Sequence, residues 1–178
     1  TGSAGSGETD PNDADTDDDG IPDGVENTIP GLDPLDADSD DDGLSDGEEP
    51  GLGTDPTNPD SDGDGLTDGL EEGRATGIPG GTSDGDGVPY SGTDPSWVPD
   101  ADPSTTTDPN EEDSDGDGLL DGVEDANHDG ATVNTIGGTG TAGSGETDPG
   151  NADTDGDGLP DGVEENLLAT DPLDTDTD

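Results

Sequence analysis

The sequence predicts a mostly irregular chain: an elongated tandem-repeat array of loops with short helical turns and few short strands. Three observations lead there. The 178 residues hold 52 carboxylates against one arginine and one histidine, for a formal charge of −51. Only 19% of them are apolar, and no Phe, Met or Cys is present. One acidic twelve-residue pattern returns five times, separated by connectors dense in proline and glycine.

Low hydrophobicity with high net charge ordinarily leaves a chain disordered, because the buried apolar surface cannot offset chain entropy. Self-repulsion works in the same direction. If this chain folds, cations must hold it together, as structural metals do in domains too small for a hydrophobic core. The charge also narrows the partners. A surface almost without Lys or Arg cannot neutralise phosphates, which argues against nucleic acid. Anionic membranes would repel it, and no apolar run reaches spanning length, so no membrane insertion is expected. Absence of cysteine rules out a disulfide framework.

The five copies share the template D-x-D-x-D-G-[LI]-x-D-G-x-E. Loop 1 is "DTDDDGIPDGVE" (15–26), with Asp15, Asp17, Asp19, Ile21, Asp23 and Glu26 at positions 1, 3, 5, 7, 9 and 12. Loop 2, "DSDDDGLSDGEE" (38–49), places Asp38, Asp40, Asp42, Leu44, Asp46 and Glu49 there. Loop 3, "DSDGDGLTDGLE" (60–71), has Asp60, Asp62, Asp64, Leu66, Asp68 and Glu71. Loop 4, "DSDGDGLLDGVE" (113–124), has Asp113, Asp115, Asp117, Leu119, Asp121 and Glu124. Loop 5, "DTDGDGLPDGVE" (153–164), has Asp153, Asp155, Asp157, Leu159, Asp161 and Glu164.

Calcium takes six to eight oxygen ligands, and a twelve-residue loop supplies them from these positions. Side chains serve at 1, 3 and 5, a backbone carbonyl at 7, position 9 often through water, and a bidentate glutamate at 12. Glycine at 6 makes the sharp turn. Accident is a poor competitor: a shuffled chain of this composition would yield roughly 0.005 intact copies of the acid-and-glycine template. Magnesium keeps its waters and wants near-ideal octahedra. Zinc lacks its usual Cys and His ligands. Several calcium ions per chain are therefore expected.

Paired long helices, as in an ordinary EF-hand, do not fit. Ten residues with three prolines and two glycines separate Glu49 from Asp60, so a single helical turn near position 9 is the most that can form. Connectors carry Thr-Asp-Pro or a variant at Asp10, Asp33, Asp55, Asp94, Asp108, Asp148 and Asp171. These aspartates, with Asp13 and Asp36, are candidate extra ligands bridging successive sites. The position 7 side chains should face away from the ion, and Val25, Leu70, Val123 and Val163 at position 11 should cluster with them between loops. Successive loops should contact chiefly their chain neighbours.

A longer period overlies the loops. "TGSAGSGETDP" (1–11) returns as "TGTAGSGETDP" (139–149), and the match runs on to the last residue at a constant offset of 138. Asp176 and Asp178 thereby stand where Asp38 and Asp40 open loop 2. The sequence reads as a window on a longer repetitive protein: repeats over 1–73, an atypical segment with Tyr90 and Trp97 over 74–112, a further repeat and the start of a split site over 113–138, and the next super-repeat over 139–178.

Loops and connectors such as "DGLSDGEEPGLGTDPTNPDSDGDGLTDG" closely resemble bacterial thrombospondin type 3 repeats. The resemblance implies irregular, calcium-loaded chain wound around a row of ions, in secreted or cell-surface proteins. Animal members carry cysteines between loops and this chain has none, so disulfide cross-linking does not carry over.

Two stretches depart from the pattern. "TSDGDGVPYSGTDP" (82–95) keeps Asp84 and Asp86 but lacks the other acids, which suggests a weak or structural half-site. "DANHDG" (125–130) offers Asp125, Asn127 and Asp129 at positions 1, 3 and 5, with His128 as a spacer at position 4. Its position 12 is Ile136. Glu146, directly before Thr-Asp-Pro, is the candidate that closes this split site across an inserted Gly/Thr stretch. Lengthening such an excursion costs only about 0.6 kcal/mol per doubling.

The function expected is structural: a calcium-stiffened extracellular or cell-surface fibre, stalk or matrix element, self-associating into a filament or continuing a longer repeat chain. No nucleophile or second base accompanies His128, so no enzyme is expected. The alternatives are a calcium-dependent protein or glycan recognition and adhesion module, for which 74–112 is the one candidate face, and a disordered acidic polyelectrolyte. The Ser/Thr-rich stretches are candidate acceptors of O-linked glycan.

Overall fold

The computed structural model describes residues 7–131 and 146–175. Irregular chain dominates it. The helical pieces are single turns, α1 (Asp23–Glu26), α2 (Glu49–Leu52), α3 (Asp68–Glu71), α4 (Asp121–Glu124) and α5 (Asp161–Val163), the last running on into a wider π-type turn at Glu164–Leu168. Each of α1, α3, α4 and α5 starts at position 9, just after an extended residue that cannot continue it backwards. The α2 turn starts later, at position 12, with Pro50 in its first turn, where a missing N–H costs nothing. Two strands of two residues, β1 (Gly81–Thr82) and β2 (Pro89–Tyr90), pair antiparallel.

The described chain divides into two units. One takes the residues through Ser61 with Thr76–Trp97; the other takes Asp62–Ala75 with Val98 onward. The atypical 74–112 stretch is thus shared between them.

In the first unit the β1–β2 hairpin folds back onto loops far away in sequence. Asn12 donates to Asp86 at 2.8 Å, Asp84 N–H to Asp13 at 3.0 Å and Asp94 N–H to Asp41 at 2.6 Å, and Ser91 bridges Asp36 in parallel. Contact only between chain neighbours does not describe this unit. Trp97 lies across Gly43, the position 6 glycine of loop 2, and its indole N–H donates to the Asp42 carbonyl at 2.7 Å.

Among the described residues, buried carboxylates outnumber buried apolar side chains. Leu32, Ala37, Leu44 and Val88 form the apolar interior of the first unit, and Leu66, Leu70, Leu119, Ala131 and Leu173 that of the second. Position 7 turns inward, as expected, in Leu44, Leu66 and Leu119. Position 11 does not form the expected clusters: Val25 is 45% and Val123 56% exposed. A helical turn that points positions 9 and 12 inward leaves position 11 on its outer side. Leu70 is buried because the 125–130 turn covers it, its Cδ1 standing 3.1 Å from where a Gly130 side chain would begin.

Candidate metal centres

Each loop is shaped by local hydrogen bonds. The position 1 carboxylate accepts the N–H of position 6: Asp15 from Gly20 at 3.2 Å, Asp38 from Gly43 at 3.1 Å, Asp113 from Gly118 at 3.1 Å and Asp153 from Gly158 at 3.0 Å. The position 5 carboxylate accepts the N–H of position 7, at 2.6–2.8 Å in all five loops. Those bonds curl the chain so that positions 1, 3 and 5 face one point. In loops 1 and 2 the carboxylate oxygens of Asp15, Asp17 and Asp19, and of Asp38, Asp40 and Asp42, come within 4.8 Å of one another. Loop 3 begins with Asp60 in the first unit and continues through Asp62 and Asp64 in the second.

The electrostatics suit a cation. Glu26 is fully buried, with neither carboxylate oxygen hydrogen-bonded, and oxygens of Asp15, Asp17 and Asp19 are buried and unpartnered beside it. Asp40 has the same two orphaned oxygens. Burial, then neighbouring like charge, pushes the Asp17 carboxyl up to about 7, Glu26 to about 8 and Asp40 to about 8. In the second unit burial raises Glu71 to about 9, Asp115 to about 6 and Glu124 to about 8, the Thr107 and Thr147 hydroxyls partly offsetting this at the two glutamates. A buried carboxylate without a partner costs several kcal/mol, roughly. Oxygen-only donor sets with this convergence fit a hard dication of calcium's kind.

Three roles in the loop were invisible as ligand chemistry. Position 2 is a clamp. In loop 2 the Ser39 hydroxyl donates to Asp46 at 2.6 Å and its N–H to the same carboxylate at 2.7 Å, while the Asp33 N–H donates back to the hydroxyl at 3.1 Å. Thr16 and Thr154 hold Asp23 and Asp161 in the same way. Position 9 is therefore a scaffold as well as a candidate ligand.

Position 10 is the junction between loops. The Gly122 N–H donates to Asp64 at 2.6 Å and that of Gly162 to Asp117 at 2.5 Å, so the position 5 aspartate of one loop receives the position 10 glycine of the next. The carbonyl of the same aspartate stands where a Cβ would be: 2.1 Å at Gly47 over Asp19, and 2.6 Å at Gly122 and Gly162. At the junction of loops 1 and 2, oxygens of Asp19, Glu26 and Asp46 lie within 4.8 Å of one another, which makes a second acidic cluster between loops. The recurrence of glycine at position 10, which the ligand set does not require, was the signal for this in the sequence.

The third role belongs to Thr-Asp-Pro. Its threonine returns to the glutamate at position 12: Thr54, Thr107 and Thr170 N–H groups each donate to the Glu49, Glu71 and Glu164 carbonyls at 3.2 Å. The Thr107 and Thr170 hydroxyls also donate to the Glu71 and Glu164 carboxylates at 2.9 Å. Those pairs are 36 and 6 residues apart, so the long stretch before Thr107 is an excursion hung on an unchanged repeat. The aspartates of this motif close turns. Asp33, Asp55, Asp108, Asp148 and Asp171 each accept the N–H two residues on, past a residue without one or at a turn, at 3.1–3.2 Å. Asp13 accepts the Asp84 N–H.

Asp84 and Asp86 lie in the turn between β1 and β2. Their turn wraps an anion: the Asp10 carboxylate accepts from the Ser83 hydroxyl at 2.6 Å and from the Asp86 N–H, and these bonds, Ser83 foremost, lower its pKa. Asp125, Asn127 and Asp129 form a turn, and Glu146 reaches it, accepting from the Asn127 side chain at 2.7 Å. His128 occupies the left-handed position 4 and meets the Gly122 carbonyl at 3.2 Å. Asp176 and Asp178 lie outside the described residues.

Neither a search of curated proteins nor one of solved structures gives a match. The scan against protein families does: the bacterial TSP3 repeat matches at residues 15–37, 38–59, 60–72, 113–128 and 153–175, together more than half of the chain. Five acidic loops, each closed by a buried glutamate, are the features those matches trace, and the chain belongs to the bacterial TSP3 repeat family, whose members are calcium-binding structural repeats.

Proposed function

We propose that the chain is a calcium-stiffened structural element of an extracellular or cell-surface fibre, stalk or matrix, in which each loop is rigid only when loaded. The observation that supports this best is the junction at position 10. A backbone carbonyl packed against a glycine where no side chain would fit, backed by a charge-assisted hydrogen bond, fixes one loop on another without a hydrophobic core. Repeats joined in that way add length by nearest-neighbour contacts, as other quasi-one-dimensional proteins do. Self-association into a filament follows the same logic, since a repeated head-to-tail contact that does not close makes an open polymer.

A non-catalytic role is supported by where the reactive groups lie. His128 is bonded to a backbone carbonyl, and the carboxylates whose pKa is raised furthest are loop residues, Glu26 and Glu71 among them. The recognition alternative draws little support, because Trp97 is engaged with loop 2 of its own chain. No helix among the described residues is long and apolar enough to cross a membrane. The test is electron microscopy and small-angle scattering of the purified chain with calcium and after its removal. Extended, regular particles that loosen on chelation and recover with calcium support the proposal; dimensions indifferent to calcium would refute it.

A further inference from the structure

We infer a sixth cation site, beyond the five twelve-residue loops, assembled in the second unit from three separated segments: Asp100, the turn 125–131 and Glu146. It rests on the calcium reading above and extends it to Asp100, Asp129 and Glu146, which the family match does not cover, since the fourth repeat ends at residue 128.

The turn has the bonding of an intact loop. Asp125, at position 1, accepts the Gly130 N–H at 2.8 Å, and Asp129, at position 5, accepts the Ala131 N–H at 3.0 Å. The equivalent bonds in loop 4 are 3.1 Å and 2.8 Å. Position 3 is Asn127, and the Ala131 carbonyl stands at position 7. What the turn lacks is the glutamate eleven residues after its start. Glu146 takes that place from beyond the insert: it is 8% exposed and accepts the Asn127 N–H at 2.9 Å and the Asn127 amide at 2.7 and 2.8 Å. Asn127 thereby donates outward to Glu146 and keeps its carbonyl oxygen for a cation.

Asp100 is the independent observation. It comes from the atypical segment, is 4% exposed, and has one buried carboxylate oxygen with no hydrogen-bond partner. Its other oxygen lies 2.5 Å from where a Gly130 Cβ would sit, so the carboxylate packs directly on the turn. The backbone holds it there: the Ala101 N–H donates to the Asp129 carbonyl at 2.8 Å, and the Thr105 hydroxyl donates to the Gly130 carbonyl. Four carboxylates and an amide are thus gathered with no cationic side chain among them. A hard dication is the ligand this set fits, and its binding ties the atypical segment and the far side of the insert to loop 4.

Native mass spectrometry of the full chain across a calcium titration tests this. Asp100→Asn and Glu146→Gln should each retain one ion fewer than wild type, and the double variant should lose the same single ion. Equal counts in wild type and both variants would overturn the sixth site while leaving the repeats' calcium intact. A wild type that retains no calcium would overturn both readings. Loss of the ion in Glu146→Gln but not Asp100→Asn would remove Asp100 from the site. If Glu146→Gln fails to fold, Glu146→Asp keeps the charge and shortens the reach; it should release one ion at calcium levels where the rest stay bound, and an unchanged count there would equally overturn the proposal.

Discussion

Glycine at position 10 and the residue at position 4 of each loop are governed by backbone geometry. At Gly122 and Gly162 a methyl group would stand 2.6 Å from a backbone carbonyl, whereas Gly24 in loop 1 has nothing within 4 Å. Gly122→Ala and Gly162→Ala should therefore cost about 1–3 kcal/mol, as overpacking against backbone does. Gly24→Ala should be neutral or slightly stabilising, because it places a better helix former in an exposed turn. Calcium-loaded thermal melts of the three variants decide it, and equal effects at all three would contradict the junction. Position 4 is left-handed in Asp18, Asp41 and His128 as it is in Gly63, Gly116 and Gly156. Asp18 is exposed, and partial desolvation of its carboxyl, followed by the charges of Asp84, Asp13 and Asp15, raises its pKa. Asp18→Gly removes both the left-handed strain and that repulsion, and it should raise stability by up to about 1 kcal/mol. Asp41→Gly should gain less, since it gives up the bond from Asp94 N–H.

The repeating element is larger than the twelve-residue loop: it runs from the Asp of one Thr-Asp-Pro to the Thr of the next. Position 12 is where it closes, and closure is the same whether the connector is short or long. Thr107→Val and Thr170→Val each remove a 2.9 Å bond to a buried glutamate and should destabilise by a similar amount, about 1–3 kcal/mol, despite their different separations. A much smaller loss at Thr107, measured in denaturation curves of the calcium-loaded chain, would mean the long excursion is not anchored there. How far this element was legible follows from what sets each residue. Positions 1, 3, 5, 6, 7 and 12 are dictated by a local cage, so residue type and spacing reveal them directly. The clamp at position 2 and the returning threonine are set by hydrogen bonds between segments, and a Ser or Thr has many other reasons to stand in a polar loop. At Asp84 and Asp86 the acid spacing alone says nothing of the Asp10 carboxylate round which their turn closes. Position 11 misled because its apolar residue type says nothing about which side of a helical turn faces outward.

At the scale of the whole chain, charge outweighs every other influence, and it makes stability depend on pH in opposite directions with and without calcium. Without ions, the buried carboxylates are raised far above their unfolded values: Asp19 and Asp115 to about 6, Asp17 to about 7, Glu26, Asp40 and Glu124 to about 8, and Glu71 to about 9, burial being the first cause in every case. Between roughly pH 4 and 9 the folded chain then holds more protons than the unfolded one, so its stability is greatest at the acid end and is lost as pH rises through this window. Calcium reverses the sign. The ions bind the ionised carboxylates, and protons compete with them, so a loaded chain is most stable at the alkaline end and sheds calcium as pH falls. Five ions also change the formal charge only from −51 to −41, leaving strong repulsion as the force that expands any unloaded stretch. Circular dichroism and scattering from pH 4 to 9 should therefore give two crossing curves: the ion-stripped chain compacting on acidification, the calcium-saturated chain expanding. Parallel curves would show that the raised carboxylates are not the groups that hold calcium, and the assignment of the buried acids as its ligands would fail.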